Sequence, residues 1–132
     1  MPSPELRDEF SRLYAIIKKL RSEGGCPWDK RQTPASIKKY LLEETAELAE
    51  AIDHESAPHI REEIGDLFYI LILLIRIHEE KGEFSAAEVL ASISQKMIRR
   101  HPHVFAGAMA GTDSELRAQW ARIKAMEKNS RE

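Results

Sequence analysis

Two acidic segments contain the residues whose types and spacing favour chemistry. The first, LLEETAELAE at residues 41–50, has no basic residue and carries four glutamates: Glu43, Glu44, Glu47 and Glu50. The second, EEIGD at residues 62–66, repeats the carboxylate spacing with Glu63 and Asp66. Carboxylates grouped in this way either form a solvated helix face or converge on a cation.

The first segment, taken alone, is compatible with both interpretations. On a helical wheel Glu43, Glu47 and Glu50 lie within about 60° of one another, with Glu44 at their edge. An ordinary amphipathic helix with an acidic outer face has this pattern. However, Glu43 and Glu47 are like charges four residues apart, which mildly destabilises a helix. No lysine or arginine lies between Glu43 and Glu50 to offset them.

The second segment favours convergence on a cation. Glu63 and Asp66 are three residues apart and share a helix face. That face continues through four apolar residues: Ile70, Leu73, Leu74 and Ile77. We therefore expect both acids on the buried side of the helix. A buried carboxylate without a partner is costly, so an arginine, a proton or a metal ion must compensate.

Two antiparallel helices joined by a short turn would place the acidic segments side by side. Two like charges about 4 Å apart repel by about 4 kcal/mol at an effective dielectric constant near 20, so four carboxylates require a cation. Mg²⁺ suits them because it prefers oxygen ligands and keeps open positions for water and phosphate oxygens. Zinc is disfavoured because the acids have no cysteine or histidine at ligand spacing. His54 and His59 flank the turn and are interpreted as surface residues.

Five helices are predicted to position these residues, and the fold class is all-α. The predicted bundle has a core helix pair that carries the acidic segments. Sequence signals mark several helix ends: Thr33 before Pro34, Gly82, Ser85 with Glu88, and Thr112 with Glu115. The segments EGGCPWDKRQ and HPHVFAGAMAG are predicted as loops because glycine and proline interrupt helices. Within the second loop, HPHVF, with His101 and His103 on either side of Pro102, is interpreted as a structural turn closing a pocket, and ligand contact is left open. The predicted helices span residues 4–22, 33–53, 57–81, 85–100 and 112–128.

The helix predicted over residues 57–81 is unusually apolar. Arg76 is the only charged residue between Leu67 and Ile77. A helix that is apolar on all sides must be buried on all sides, and a chain of 132 residues has few helices to cover it. We therefore expect the bundle to share helices across an interface with a second copy of the protein. The alternative is a central helix covered entirely by its own chain.

Length and composition limit the functional classes. The 132 residues suit a single domain over residues 1–132, with the first few residues and residues 129–132 frayed. Apolar residues make up 42%, and a net charge of −2 provides no basic field for nucleic acid. The single cysteine, Cys26, fits a reducing compartment. The longest apolar run, residues 67–75, is about half of a membrane span. We therefore predict a soluble cytoplasmic protein with no membrane partner.

Four stretches occur in an order that resembles one known family. They are GGCPWDKRQT, YLLEETAEL, EEIGDL and IRRHPHVF, and their order is similar to that of MazG-like nucleoside triphosphate pyrophosphohydrolases, over roughly residues 20–128. The resemblance implies an all-α fold, a homodimer or homotetramer, and a Mg²⁺ site in which Mn²⁺ can substitute. It also implies hydrolysis of a nucleoside triphosphate to the monophosphate and pyrophosphate, by attack of water at the α-phosphorus.

The family pattern EExxE followed by ExxD implies roles for five acids. Glu44, Glu47, Glu63 and Asp66 match metal ligands. Glu43 and Glu47 are assigned to catalysis. Glu43 would either orient the attacking water or contact the metal ligands without binding the metal itself.

Four further residues match positions that contact nucleotide or phosphate in the family: Lys96, Arg100, Trp120 and Lys124. Trp28 and Asp29 also match the family and are assigned to substrate binding, in a loop that would close over the nucleotide. The chemistry agrees in kind, because a triphosphate needs cations beyond the metal and a flat base can pack on an indole. The structural alternative is that Lys96 and Arg100 are surface charges and that Trp28 and Trp120 are packing residues.

Two departures from the family leave the substrate open. Many members carry two such domains in tandem, whereas this sequence contains one, and AGAMAGTD replaces the acidic stretch that often follows HPHVF.

Two alternative functions remain open. The alternative within the enzyme class is a related all-α pyrophosphohydrolase that acts on phosphoribosyl-ATP or a deoxyuridine nucleotide. The rival outside that class is a non-catalytic helical dimerisation module.

Overall fold

The computed structural model describes residues 4–131, and within that range the chain forms helices and no strand. The all-α prediction is confirmed, and the five predicted helices are the five long ones. The helices are α1 (Pro4–Leu20), α2 (Pro27–Arg31), α3 (Pro34–Asp53), α4 (Ala57–Glu80), α5 (Ala86–Arg100), α6 (Pro102–Phe105) and α7 (Asp113–Arg131).

Local capping explains where α3 begins and where α4 ends. The Thr33 hydroxyl accepts a hydrogen bond from the Ser36 N–H at 3.1 Å, and the Thr33 N–H donates to Ser36 Oγ at 2.8 Å. Pro34 occupies the first helical position, where its missing N–H costs no hydrogen bond. Gly82 follows α4 with a φ of +70°, a conformation that glycine adopts without strain.

The prediction of an uninterrupted loop between α1 and α3 is wrong, because α2 forms within it. Pro27 stands at the start of α2, and the Gln32 side chain donates to the Trp28 carbonyl at 2.9 Å. The chain turns sharply before α2, and a Cβ at Gly25 would collide with backbone carbonyl oxygens at the end of α1. A loop prediction based on glycine and proline content therefore missed one helical turn that proline itself initiates.

The same correction applies to HPHVF, which was also predicted as a loop. Pro102 starts α6, and the Ala106 N–H donates to the Pro102 carbonyl at 2.9 Å. His101 directly precedes this turn, and His103 lies within it.

The described chain divides into two compact units, one ending at Ala86 and the other beginning at Ala87. In the first unit, α1, α3 and α4 enclose an apolar core, and α4 packs against both α3 and α1. The core residues are Ile17, Ile37, Ile70, Ile72, Leu73 and Ile77. The predicted core pair of helices carrying the acidic segments is therefore α3 and α4.

Arg21 joins three elements of this first unit. Its guanidinium donates to both carboxylate oxygens of Glu80 at 2.8 Å, which links the ends of α1 and α4. A third N–H group donates to the Asp29 carbonyl at 2.5 Å. A bidentate guanidinium–carboxylate pair imposes a defined geometry, and the bond to Asp29 connects α2 to the same guanidinium.

One side of α4 stays exposed in the single chain. Ile64, Phe68 and Leu71 expose 40%, 47% and 40% of their surface, so α1 and α3 do not cover this helix on all sides. Packing against a second copy remains a prediction.

The second unit contains α6, α7 and nearly all of α5. The Thr112 hydroxyl accepts from the Glu115 N–H at 3.2 Å, as the capping prediction requires. Helix α7 continues to Arg131, three residues past its predicted end.

The predicted fraying of residues 1–3 and 132 lies outside the described residues, and the single-domain organisation remains a prediction. Within residues 4–131, no helix has both the length and the hydropathy that a membrane span requires.

Candidate metal centre and nucleotide-binding residues

The structure brings together four of the five family-matched acids. Glu44 and Glu47 on α3, and Glu63 and Asp66 on α4, each contribute a carboxylate oxygen, and these oxygens all lie within 4.8 Å of one another. Each pair is three residues apart and therefore shares one helix face. The short turn between α3 and α4 sets the two faces against each other. These four carboxylates form the acidic cluster.

Burial within the acidic cluster is uneven. Glu63 is 7% exposed and Glu44 is half-buried, whereas Glu47 and Asp66 are exposed. The prediction that Asp66 lies on the buried side of α4 is therefore wrong. Three residues advance a helix by about 300°, so Asp66 is rotated about 60° from Glu63. That rotation is enough for one side chain to be covered and the other to face outwards.

Two carboxylate oxygens of the acidic cluster are buried without a hydrogen-bond partner among the described residues. They are Oε2 of Glu44 and Oε2 of Glu63. Burial, followed by repulsion from Glu47, raises the pKa of Glu44 and the pKa of Glu63 above their ordinary value. Burial and mutual repulsion therefore disfavour the charged form of Glu44 and Glu63 in the protein alone.

The donor set fits a hard divalent cation. Four carboxylates supply oxygen ligands, and two of their oxygens are buried where a buried polar atom normally has a partner. Mg²⁺ and Mn²⁺ prefer such ligands, whereas zinc sites normally include nitrogen or sulfur.

One neighbour of the acidic cluster was missed at the sequence level. His59 was interpreted as a surface residue, and it is 46% exposed, but its Nε2 lies 3.2 Å from Glu63 Oε1. The spacing of four residues from Glu63 was the available signal, since such residues are neighbours on a helix. A neutral His59 can donate a hydrogen bond to Glu63 and thereby orient it.

Glu43 and Glu50 lie outside the acidic cluster. Both are exposed on α3, and Glu50 Oε1 lies 3.7 Å from His54 Nε2. Glu43 directly precedes Glu44, and its assignment to catalysis remains a prediction.

Trp28 and Asp29 on α2 are integrated into the first unit. Trp28 packs edge-on against Tyr40, with ring centroids 5.2 Å apart, and contacts the core. Asp29 is 5% exposed and accepts a short hydrogen bond from the Tyr69 hydroxyl. The sequence offered no signal for Tyr69, which lies forty residues away. Substrate contacts by Trp28 and Asp29 remain predictions.

In the second unit, Arg100 and Trp120 form one arrangement. The Arg100 guanidinium lies over the Trp120 ring, 5.1 Å from its centroid, a favourable cation–π geometry. Arg100 Nη2 also donates to Glu127 Oε1 at 2.8 Å, and Arg99 pairs with the same carboxylate. These two guanidinium groups, Arg100 first, lower the pKa of Glu127 to about 2.

The two predicted lysines are less constrained than Arg100. Lys96 is half-buried on α5, and Lys124 is exposed on α7. A long flexible side chain at such a position retains the rotamer freedom to meet a ligand.

A cavity of about 550 Å³ lies in the second unit. We refer to it as the C-terminal cavity. Its lining residues are Arg100, His101, His103, Leu116, Arg117 and Trp120. Only Arg100 and Trp120 were predicted to bind substrate. The two histidines belong to HPHVF, which was interpreted as a structural turn closing the pocket, with ligand contact left open.

Comparison with known proteins identifies the family. The sequence profile of the MazG nucleotide pyrophosphohydrolase domain matches residues 32–105, more than half of the chain. The chain belongs to the MazG family. The matched segment contains the whole acidic cluster, Lys96 and Arg100, whereas Trp28, Asp29, Trp120 and Lys124 lie outside it.

Curated relatives of this MazG-family chain are longer proteins. The Escherichia coli nucleoside triphosphate pyrophosphohydrolase is 43% identical over 122 residues, which are 92% of this chain and 46% of that protein. An uncharacterised Bacillus subtilis protein, YabN, is 46% identical over 127 residues, which are 96% of this chain and 26% of that protein. The chain therefore spans less than half the length of these relatives.

A solved structure agrees with the MazG fold. The crystal structure of a MazG-related protein from Thermotoga maritima matches with a TM-score of 0.72 and 26% sequence identity. The match covers 87% of this chain and 98% of that one.

Proposed function

We propose that the chain catalyses Mg²⁺-dependent hydrolysis of nucleoside triphosphates to nucleoside monophosphate and pyrophosphate. The observation that supports this most directly is the acidic cluster with two buried, unpartnered carboxylate oxygens. Family membership and relatives that are named nucleoside triphosphate pyrophosphohydrolase support the same reaction.

Glu44, Glu47, Glu63 and Asp66 would hold the Mg²⁺, and Mn²⁺ would substitute. When bound, the cation would neutralise phosphate charge and lower the pKa of a water molecule. The helices α3 and α4 hold the four carboxylates in place before substrate binds, which reduces the reorganisation needed during the reaction.

The remaining predicted residues would act on water and substrate. Glu43 and the exposed Glu47 would orient the attacking water and accept its proton, and attack would occur at the α-phosphorus. Lys96, Arg100 and Lys124 would offset the charge of the departing pyrophosphate. The Trp120 ring would pack on the base, and Trp28 with Asp29 would contact the nucleotide.

We further propose that the protein acts as a homodimer or homotetramer in the cytoplasm. The exposed apolar side chains of α4, Ile64, Phe68 and Leu71, support self-association, because exposed apolar patches mark interaction surfaces.

A product assay in ¹⁸O-labelled water tests the reaction. The panel contains the canonical ribonucleoside and deoxyribonucleoside triphosphates, dUTP and phosphoribosyl-ATP, each with Mg²⁺. We expect pyrophosphate as the released product and the label in the monophosphate, since water attacks the α-phosphorus. Release of orthophosphate, label in pyrophosphate, or no turnover of any substrate would contradict the proposal.

Matched variants locate the activity. We expect Glu47→Ala and Asp66→Ala each to reduce pyrophosphate release by at least about 100-fold, because loss of a ligand should cost at least as much as the roughly 10–100-fold loss seen when a residue supporting a ligand is removed. The helical circular dichroism should be unchanged. Glu50→Ala is the control, because Glu50 has the same charge on α3 but lies outside the acidic cluster. Full turnover by Asp66→Ala would show that the acidic cluster is not the active site.

A further inference from the structure

The geometry points to recognition of the substrate's nucleobase by His101 and His103. In this inference, which rests on the proposed function, the C-terminal cavity holds the nucleobase of the substrate. His101 Nε2 accepts a hydrogen bond from the edge of the base, and the N–H at His103 Nε2 donates one to it. Neither histidine was among the predicted substrate-binding residues.

The tautomer of His101 follows from its partner. Its Nδ1 lies 2.6 Å from the Met97 carbonyl oxygen, one helical turn earlier. A carbonyl oxygen only accepts hydrogen bonds, so Nδ1 carries the proton. In the neutral ring, Nε2 of His101 is then an acceptor.

His103 has the opposite tautomer. Its Nδ1 lies 3.1 Å from Gln119 Nε2 on α7. An amide nitrogen donates, so Nδ1 of His103 accepts, and in the neutral ring the proton lies on Nε2. Of the two histidines that line the C-terminal cavity, one therefore carries an acceptor and the other a donor at Nε2, on rings whose centroids are 5.5 Å apart.

Such a donor–acceptor pair matches the hydrogen-bonding edges of nucleobases. Each canonical base presents an N–H donor next to a nitrogen or oxygen acceptor on one of its edges. A phosphate presents acceptors only, so it cannot use the acceptor nitrogen of His101.

The walls of the C-terminal cavity also favour a flat base over a phosphate. Leu116 and Trp120 supply apolar surface, and the His101 ring meets the Trp120 ring edge-on at 5.2 Å. The charge of Arg100 is already balanced by Glu127 at 2.8 Å. Within the C-terminal cavity, the Arg100 guanidinium over the indole adds a flat surface beside which a base can lie. A volume of about 550 Å³ is within the usual range for a small-molecule site.

The test separates base binding from phosphate binding. The chain has two tryptophans, so Trp120 is the only indole in a Trp28→Phe background, and its fluorescence reports on the C-terminal cavity. This protein is titrated with the five canonical nucleosides and, separately, with inorganic tripolyphosphate, all at up to millimolar concentration. We expect at least one nucleoside, which carries no phosphate, to change the emission saturably. Calorimetric titration of the native chain with the same nucleosides avoids any dependence on Trp28→Phe.

The histidine variants are chosen to keep the internal hydrogen bonds. Asparagine places a polar atom where the histidine Nδ1 stood, so it can replace Nδ1 toward Met97 or Gln119, and it lacks Nε2. We expect His101→Asn and His103→Asn each to weaken nucleoside binding by roughly 2–12-fold, the usual value of one hydrogen bond. The control is His54→Asn, at the exposed end of α3, which should bind as the native chain does.

The outcomes separate this inference from the proposed function. Nucleoside binding that depends on both histidines, without any pyrophosphate release from triphosphates, would support the base site and contradict the proposed reaction. Pyrophosphate release without a nucleoside response at Trp120 would retain the reaction and overturn the base site. A response to tripolyphosphate alone, or nucleoside binding unchanged in both variants, would also overturn it.

Discussion

Glu44 and Glu63 approach each other from neighbouring helices, and each buries an Oε2 atom that no described residue hydrogen-bonds. A buried polar atom without a partner lowers stability. In the protein alone, this site therefore opposes folding, and a bound cation would reverse the effect.

The first prediction concerns the stability of the metal-free protein. Folding raises the pKa of Glu44 above its ordinary value of 4.5. A raised pKa means that stability is retained below pH 4.5 and is lost as pH rises through the folded pKa. Glu44→Gln should therefore raise the metal-free Tm at pH 8 by a few degrees and change it little at pH 4.

The same variant tests metal binding by differential scanning calorimetry. Added Mg²⁺ should raise the Tm of the native chain and should raise the Tm of Glu44→Gln by much less. Glu50→Gln, which changes a charge outside the acidic cluster, should keep the full Mg²⁺ response. A metal-free Glu44→Gln protein that melts below the native chain at pH 8 would refute the prediction.

A second prediction concerns the ion pair between Glu127 and Arg100. Glu127→Gln removes the charge that holds the guanidinium over Trp120, so we expect KM to rise by about tenfold while kcat changes little. Steady-state kinetics with a nucleoside triphosphate measures both constants. Because the pKa of Glu127 is lowered to about 2, its charge persists above that pH, and the rise in KM should be constant from pH 6 to pH 9.

Arg99 is the matched control for Arg100, since both pair with Glu127 and only Arg100 lines the C-terminal cavity. Arg100→Ala should raise KM more than Arg99→Ala does. Equal effects of the two changes would indicate that the ion pairs only connect α5 to α7.

A third prediction concerns the buried Asp29. Its carboxylate accepts a hydrogen bond from the Tyr69 hydroxyl, and hydrogen bonds to charged groups contribute about 1.5–3 kcal/mol. Tyr69→Phe should therefore lower the Tm measured by calorimetry, because Asp29 loses its partner inside the protein. Tyr40→Phe is the control, since the Tyr40 ring packs against Trp28 and no such bond is broken.

Kinetics then decides whether Asp29 also contacts substrate. If its role is structural, Tyr69→Phe and Asp29→Asn should leave KM unchanged at temperatures well below their Tm values. A selective rise in KM for Asp29→Asn would establish the substrate contact that the family resemblance implies.

A fourth prediction concerns the exposed side of α4. Phe68 exposes 47% of its surface, and Phe68→Glu should convert an oligomer into a monomer because it places a charge in an apolar interface. Light scattering coupled to size-exclusion chromatography gives the mass. Met109→Glu, at a residue that is 90% exposed in the loop before α7, should leave the mass unchanged. A native chain that is already monomeric would contradict the prediction.

Local sequence signals predicted most of the fold. The five long helices followed from residues that mark helix ends, such as Thr33 and Gly82, whose effects act within one turn of the chain. The two short helices were missed because glycine and proline content was interpreted as loop. In both cases, proline at the first helical position starts a turn instead of preventing one.

The candidate site was predicted in part. The spacing of Glu44, Glu47, Glu63 and Asp66, together with the resemblance of the ordered motifs, indicated which acids converge. Their unequal burial was not predictable, since it depends on how closely α3 covers each position of α4. The roles of these acids, and of the six residues assigned to substrate, remain predictions.

Residue types and their spacing along the chain determined the helices, the family and the four acids of the acidic cluster, because each of these depends on contacts within a helix or on ordered motifs. Only the tertiary structure determined the partners of the other candidate residues. Tyr69 bonds to Asp29 and Glu127 pairs with Arg100 across separations of 40 and 27 residues. Contacts over such distances form only when helices pack, and no spacing in the sequence encodes them.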